Sequence, residues 1–168
     1  MNRPVVPRDA EQVMQWLEAV SDPEIPVLSV VDLGIVRRVT WDDDTCVVTI
    51  TPTYSGCPAM HEITLGIQRE LEAHGVSPVR VDLSLEEAWT TDWMTERGKR
   101  ALQSYGIAPP REQAIDISGI SRRSGPVVPC PLCGSSDTRL VSHFGSTACK
   151  ALYRCQQCGE PFDYFKAH

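Results

Sequence analysis

Four cysteines near the C-terminus constrain this chain more than any other feature. They form two C-x-x-C pairs, Cys130 with Cys133 and Cys155 with Cys158, and 21 residues separate the pairs. The sulfurs of such a pair point to one side of a tight turn, and two turns close a tetrahedron of thiolates around Zn²⁺. The segment from Cys130 onward has fewer than 40 residues, too few to fold on a hydrophobic core alone. The pattern therefore predicts a zinc ribbon with a structural Zn²⁺, and a rubredoxin-like iron site stays open as the alternative.

Two further potential ligands lie between the pairs. Cys149 and His143 are outside both C-x-x-C motifs. Either is a candidate alternate ligand, but the two complete pairs already fill four positions around a tetrahedral metal. The spacing therefore favours a Cys149 that is packed beneath the ribbon as a small apolar side chain.

The total of seven cysteines is odd, which rules out complete pairing in intrachain disulfides. The N-terminus lacks the apolar stretch of a signal peptide, and no run approaches the roughly 18 apolar residues of a membrane span. We therefore expect a cytoplasmic protein that is not bound to a membrane and whose thiols are reduced.

The distribution of charge argues against a nucleic-acid partner. The formal net charge is −6; residues 1–110 carry 9 basic and 17 acidic side chains, and residues 111–168 carry 7 and 5. Four thiolates and one Zn²⁺ add −2 to the C-terminal segment. Since its basic residues are also spread out rather than clustered, the chain lacks the basic surface of a nucleic-acid binder.

Hydrophobic periodicity predicts a small α/β layer domain before the ribbon. The predicted elements are, in order, a helix over 10–20, strands over 27–39 and 45–51, a helix from Pro58 to about His74, a strand over 78–85 and a helix over 91–105. In the third strand, the alternating positions predicted to face the core are Val79, Val81, Leu83 and Leu85. The last helix carries Met94, Ala101 and Tyr105 on one side.

Proline- and glycine-containing segments separate the two parts of the chain. They bracket a weakly patterned stretch that is typical of a linker. The sequence therefore predicts an α/β domain over residues 1–108, a linker over 109–129 and the zinc ribbon over 130–168.

Cys57 is the most interesting thiol outside the ribbon. It precedes Pro58 at a predicted helix start, where free N–H groups and the helix dipole should lower the pKa of its thiol. A role as a small helix-start residue is equally compatible with this position. His61 lies one turn further on and could face the thiol, although a solvated position is favoured. Cys46 lies within a strand pattern and is expected in the core.

Three carboxylates lie on non-helical segments near the first strand: Asp22, Glu24 and Asp32. They are candidates for catalysis or cation binding, although turn and capping roles are commoner for acidic residues in such places. The sequence has no glycine-rich phosphate loop, no Ser-His-Asp spacing and no H-E-x-x-H motif. It therefore predicts a protein without catalytic activity of its own.

Three motifs identify a family resemblance. Asp22-Pro23-Glu24-Ile25-Pro26, then Val31-Asp32-Leu33-Gly34-Ile35-Val36, then Gly56-Cys57-Pro58 resemble, in order and spacing, the MIP18 (DUF59) family of iron–sulfur cluster assembly factors over roughly residues 10–85. With the ribbon and the segment Phe144–Tyr153, nearly the whole chain is similar to the D components of bacterial phenylacetyl-CoA epoxidase systems.

The resemblance implies a non-catalytic maturation or accessory component in aerobic phenylacetate degradation, which helps to assemble an iron–sulfur cluster or metal centre. Its implied partners are the reductase or oxygenase components of the epoxidase, and the alternative is a permanent structural subunit of that complex. The family's reactive cysteine falls on Cys57 and its acidic motifs on Asp22, Glu24 and Asp32. One cysteine cannot hold a cluster alone, so a transient cluster would be shared across a homodimer or with a client, and a role for Cys149 stays open.

Overall fold

The chain divides into two compact units. A computed structural model describes residues 8–111 and 127–168, and one unit ends at Gly98 where the other begins at Lys99. Within those two ranges no helix is long and apolar enough to cross a membrane. The domain boundaries drawn from the sequence stay a prediction, because most of the proposed linker lies outside the described residues.

The first unit is a mixed α/β fold, which confirms the predicted fold class. Its elements are α1 (Ala10–Leu17), β1 (Val36–Asp42), β2 (Thr45–Ile50), α2 (Ala59–Ala73), β3 (Val79–Leu83), a 3₁₀ turn (Thr91–Trp93) and α3 (Glu96–Tyr105), which continues past the boundary. Asp9 caps α1, since its side chain accepts hydrogen bonds from the backbone N–H groups of Glu11 and Gln12.

The three strands form one sheet in the order β1-β2-β3. β1 and β2 are an antiparallel hairpin closed at Asp43, whose φ is 50°, and Asp44. β2 and β3 are parallel and are joined by α2 as the crossover helix. Parallel pairing places the carboxyl ends of β2 and β3 at the same edge of the sheet, where the loop that carries Cys57 begins.

One face of the sheet and the two helices enclose the core. Cys46 and Val48 of β2 are fully buried, and the prediction that Cys46 lies in the core is confirmed. Ile63, Ile67 and Leu71 of α2 are buried at helical spacing. α1 adds Val13 and Leu17, which are 0% exposed. At the surface of this pair, the Trp16 ring stacks on the His74 ring with centroids 4.5 Å apart.

Three sequence expectations for this unit are wrong in detail. The strand predicted over 27–39 begins only at Val36, because residues 27–35 form hydrogen-bonded turns. Leu83 and Leu85 are 55% and 66% exposed rather than buried, since β3 is an edge strand that ends at Leu83. The helix predicted from residue 91 begins at Glu96, because Met94 is extended and Thr95 caps the new helix through its hydroxyl.

The second unit contains a four-stranded sheet in the order β4-β7-β6-β5. Its strands are β4 (Ile107–Ala108), β5 (Thr138–Ser142), β6 (Lys150–Cys155) and β7 (Pro161–Phe165). Tyr153, Phe162 and Tyr164 form an aromatic cluster on its inner face, together with Val128 and Ala108. This is the architecture expected of the predicted ribbon.

The loop over 143–149 covers one end of the opposite, outer face of this sheet. The Gly145 N–H donates to the Lys150 carbonyl at 2.7 Å, and the Ser146 hydroxyl donates to the Asp163 carboxylate at 2.9 Å. Lys150 is only 4% exposed, and its ammonium lies 3.8 Å from the same carboxylate. The loop thus closes this end of the outer face over a buried ion pair between Lys150 of β6 and Asp163 of β7.

Candidate metal centre and thiol site

The four ribbon cysteines converge as the sequence predicted. The Sγ atoms of Cys130, Cys133, Cys155 and Cys158 all lie within 4.8 Å of one another. The Cys130–Cys158 and Cys133–Cys155 sulfur distances are 3.8 Å and 3.5 Å. A tetrahedral site with Zn–S bonds of about 2.3 Å has sulfurs about 3.8 Å apart. The donor set therefore fits Zn²⁺, and the region binds metal.

The backbone builds the two turns in the same way. In the first, the Cys130 N–H donates to the Ser135 carbonyl and the Gly134 N–H donates to the Cys130 carbonyl, both at 2.9 Å. Cys155 repeats the pattern with Glu160 and Gly159 at 3.0 Å and 3.1 Å. The glycine at each turn has a φ near +80°, which explains its presence there. The backbone hydrogen bonds of each turn thus place its two cysteine side chains on the same side.

The pKa values show why these thiols need a cation. Backbone N–H groups, led by that of Cys158, lower the pKa of the Cys155 thiol to about 6. At Cys158 a backbone N–H from Glu160 acts in the same direction, but burial and the three neighbouring sulfurs outweigh it and raise the pKa to about 12. Four thiolates cannot coexist at this distance near neutral pH unless a divalent cation compensates their charge.

The two other potential ligands in the ribbon stay outside this cluster. Among the described residues, the cluster of potential metal ligands includes neither Cys149 nor His143. Cys149 is 5% exposed and its sulfur lies 3.0 Å from the Thr147 hydroxyl. This burial agrees with the expectation that Cys149 packs beneath the ribbon as a small apolar side chain. His143 is exposed, and its carbonyl accepts a hydrogen bond from Lys166.

The second candidate site is the loop that leads into α2. Gly56, with φ at 80°, turns the chain just before Cys57, whose carbonyl accepts the Met60 N–H at 3.3 Å. The thiol of Cys57 is half-buried and accepts a hydrogen bond from the Ala59 N–H. Cys57 thus lies at the start of α2, as predicted, and at the carboxyl edge of the parallel pair β2 and β3, where α/β proteins commonly bind ligands.

The predicted effect on the Cys57 thiol is wrong. Burial raises its pKa, and the carboxylates of Glu24 and Asp22 raise it further. The opposing hydrogen bonds from Ala59 and the Tyr54 side chain are too weak to reverse this. Local helix geometry argues for a thiolate, whereas the surrounding fold favours a thiol. His61 is exposed, as the favoured solvated position predicted, and no hydrogen bond joins it to Cys57 in the described part of the chain.

The carboxylates Asp22 and Glu24 have different surroundings. Asp22 is 6% exposed, and its Oδ1 accepts the backbone N–H groups of Glu24 and Ile25, each at 2.8 Å. These hydrogen bonds stabilise the turn that contains Pro23 and Pro26. Glu24 is half-buried and is close enough to Cys57 to act on its pKa. Glu24 and Cys57 are thus the partly accessible pair at this edge of the fold.

Asp32 lies at the centre of a separate polar cluster. Its carboxylate accepts hydrogen bonds from the Ser29 hydroxyl at 2.9 Å, the Thr95 hydroxyl at 2.6 Å and Nε of Arg97 at 2.9 Å. Burial alone would raise the pKa of Asp32, but these bonds and the charge of Arg97 hold it below its usual value. Arg97 also pairs with Glu18 at 3.1 Å. Asp32 thus fastens the start of α3 to the loop before β1.

Two glycines allow the backbone segments to approach closely where α3 is attached to the loop before β1. A Cβ on Gly98 would lie 3.1 Å from the Asp32 backbone, and one on Gly34, where φ is 73°, would lie 2.4 Å from the Trp93 carbonyl oxygen. Sequence reasoning missed Thr95, Arg97 and Gly98. A capping threonine before a helix was a usable signal for the first, but no local pattern joins Arg97 to a carboxylate 65 positions earlier.

Comparison with known proteins agrees with this two-part architecture. Residues 10–83 match the family described as iron–sulfur cluster assembly protein, and residues 117–166 match the PaaD zinc beta ribbon domain. An Escherichia coli protein, provisionally named as a 1,2-phenylacetyl-CoA epoxidase subunit, is 47% identical over 96% of this chain and 95% of its own. A Porphyromonas gingivalis protein named Fe-S protein maturation auxiliary factor is 40% identical over 51% of this chain and 83% of its own.

A solved structure agrees as well. The crystal structure of a DUF59 domain from Bacillus anthracis superposes with a TM-score of 0.52 at 31% identity, over 55% of this chain and 90% of that one. The fold and the four-cysteine centre define an α/β assembly-type domain joined to a metal ribbon. The chain belongs to the iron–sulfur cluster assembly protein family, among the members that carry a PaaD zinc ribbon.

Proposed function

We propose that this protein is a non-catalytic accessory factor that helps to assemble an iron–sulfur cluster or metal centre in a component of a phenylacetyl-CoA epoxidase system. The cluster is the cargo, and the Zn²⁺ of the ribbon is a resident structural cofactor. The maturation role is supported by relatives named as Fe-S maturation auxiliary factors, and the pathway by the name of the E. coli relative.

The observation that carries this proposal is the position of Cys57. Outside the metal tetrad, Cys57 is the one cysteine of the described residues that is not buried. Burial, together with the carboxylates of Glu24 and Asp22, raises its pKa, so the free thiol favours its protonated form. An incoming iron centre supplies the positive charge that makes the thiolate favourable, and reprotonation on departure favours release. A transient ligand needs this reversibility.

A second source of ligands is required. Cubane and rhombic clusters are held by about four protein ligands, and Cys57 supplies one. We propose that the remainder come from a client protein or from a second copy of this chain. Glu24 lies beside Cys57 as an additional oxygen donor or partner contact, whereas Asp22 and Asp32 position the loops around it. The buried Cys149 is given no part in this transfer.

The test is anaerobic reconstitution with iron and sulfide. Wild-type protein, Cys57→Ser and Cys149→Ser are compared by iron, sulfide and zinc analysis, alone and with the isolated reductase component. We expect equal zinc in all three, and iron uptake and transfer that are lost only in Cys57→Ser. Equal iron binding and equal client maturation by Cys57→Ser would refute the role of Cys57. The Cys149→Ser protein is the matched control, because it removes one thiol from the same chain.

The name of the E. coli relative as a subunit favours a second candidate, a permanent structural subunit of the epoxidase. Purification of the active complex separates the two. A permanent subunit is present in equal amount with the other components, whereas a maturation factor is absent from the finished enzyme but needed while it is made.

A further inference from the structure

One half of the ribbon's outer face carries two arginines that pair with no acidic side chain of the described residues. Arg139 of β5 and Arg154 of β6 are direct cross-strand partners, so both side chains project from the same face. Both are exposed, and no ion pair involves either of them among the described residues. Like charges in this register oppose each other. The two guanidinium groups form a locally positive surface whose charge an anionic group would neutralise.

The groove around these arginines combines apolar and polar side chains. Its volume is about 600 Å³, and besides the arginines it is lined by Val141, Leu152, Cys155, Gln156, Gly159 and Pro161. None of these described lining residues is aspartate or glutamate. Val141 is the extra residue at an irregularity in the β5–β6 pairing and is 54% exposed. In a chain whose net charge is −6, this groove is a local positive and apolar surface.

The groove is held in place from both ends. At the metal end, Nε of Arg154 donates to the Gly159 carbonyl at 3.1 Å, which fixes its guanidinium against the second cysteine turn. At the other end the loop over 143–149 closes the outer face. Since β5 is the edge strand of the sheet among the described strands, the groove is open along one side. An extended segment can contact the two arginines and the apolar side chains of the groove at the same time.

We infer that this groove, lined by Arg139, Arg154, Val141, Leu152 and Pro161, is a docking site for an extended acidic peptide segment of a partner protein. Carboxylates of the segment pair with the two guanidinium groups, which can each form bidentate hydrogen bonds. Apolar side chains at alternate positions of the segment cover Val141 and Leu152. The inference is independent of the Cys57 proposal, because it concerns recognition by the ribbon.

The test measures peptide binding to the full-length, zinc-loaded protein by fluorescence anisotropy. One labelled probe alternates glutamate with valine, and a matched probe carries glutamine in place of every glutamate. We expect the glutamate probe to bind at least about tenfold more tightly at low salt, and the difference to shrink as salt rises. Equal affinity for the two probes would overturn the inference. So would tighter binding of a single-stranded oligonucleotide of equal charge, which would indicate a general polyanion site.

The variant Arg139→Glu separates recognition from a structural role. It places opposite charges across β5 and β6, so the thermal midpoint and zinc content of the ribbon should be unchanged or higher. Binding of the glutamate probe should nevertheless fall by about tenfold or more. Arg100→Gln, on an exposed position of α3, is the control for charge loss and should bind normally. A folded Arg139→Glu protein that binds the probe like wild type would contradict the proposal.

Discussion

Replacing Asp32 by asparagine should loosen the attachment of α3 in the first unit. An amide carries no charge, so the ion pair with Arg97 is lost and the hydrogen bonds with the Ser29 and Thr95 hydroxyls become weaker neutral ones. A hydrogen bond to a charged group contributes about 1.5–3 kcal/mol, and Asp32 is 7% exposed. The Arg97 guanidinium is mostly solvent-exposed and its share is screened. We expect Asp32→Asn to lower the free energy of unfolding by about 1.5–3 kcal/mol at neutral pH.

The effect should depend on pH in a defined direction. The pKa of Asp32 is lowered from its ordinary value of 3.8 in the folded state. Its ionised form therefore stabilises the fold above that value, and this stabilisation is lost as the pH falls through the folded pKa. The difference between wild type and Asp32→Asn should be complete at neutral pH and should shrink below about pH 4.

Tryptophan fluorescence during urea unfolding is a suitable assay. The four tryptophans all precede Lys99 in the sequence, and the Trp89 indole donates to the Leu33 carbonyl at 2.9 Å, one residue from Asp32. Asp82→Asn is the control, because Asp82 forms an exposed ion pair with Arg80. Its replacement should change the free energy of unfolding by less than about 1 kcal/mol. Identical unfolding midpoints for Asp32→Asn and wild type, or a difference that persists in acid, would refute the reasoning.

Three other outcomes follow from the same geometry. Gly34→Ala should lower the free energy of unfolding in urea by about 1–3 kcal/mol more than Gly56→Ala does. Both positions have a positive φ, but only a Cβ on Gly34 would clash with the Trp93 carbonyl. A zinc chelator should remove the β-structure of the ribbon, followed by far-UV circular dichroism, and leave tryptophan fluorescence unchanged; a parallel loss of both signals would be contrary to this. Metal retention in equilibrium dialysis should weaken as pH falls, since protons compete for the four thiolates, and a flat pH profile would count against a thiolate site.

The parts of this protein that could be predicted from sequence are those fixed by local chemistry. The two C-x-x-C turns specify the metal centre because each pair is separated by two residues and followed by a glycine. The order of helices and strands follows from hydrophobic periodicity in the same way. Asp43 and Asp44 close the first hairpin between the strands predicted over 27–39 and 45–51.

The parts that failed depend on contacts between distant residues. The helix dipole predicts a lowered pKa for Cys57, but burial and the carboxylates of Asp22 and Glu24, more than 30 positions earlier, reverse the direction. No spacing in the sequence indicates that Thr95 and Arg97 donate hydrogen bonds to the Asp32 carboxylate. Such contacts exist only after the sheet and helices have packed, and no spacing rule contains them.

We propose above that Cys57 acts in the assembly of a metal centre on another protein. The most direct measurement is the iron content of the epoxidase components purified from cells that produce wild-type protein, Cys57→Ser or Cys149→Ser. We expect iron-deficient, poorly active epoxidase with Cys57→Ser, normal epoxidase with Cys149→Ser, and equal amounts of all three proteins in the cells. Full iron occupancy in the presence of Cys57→Ser would contradict it.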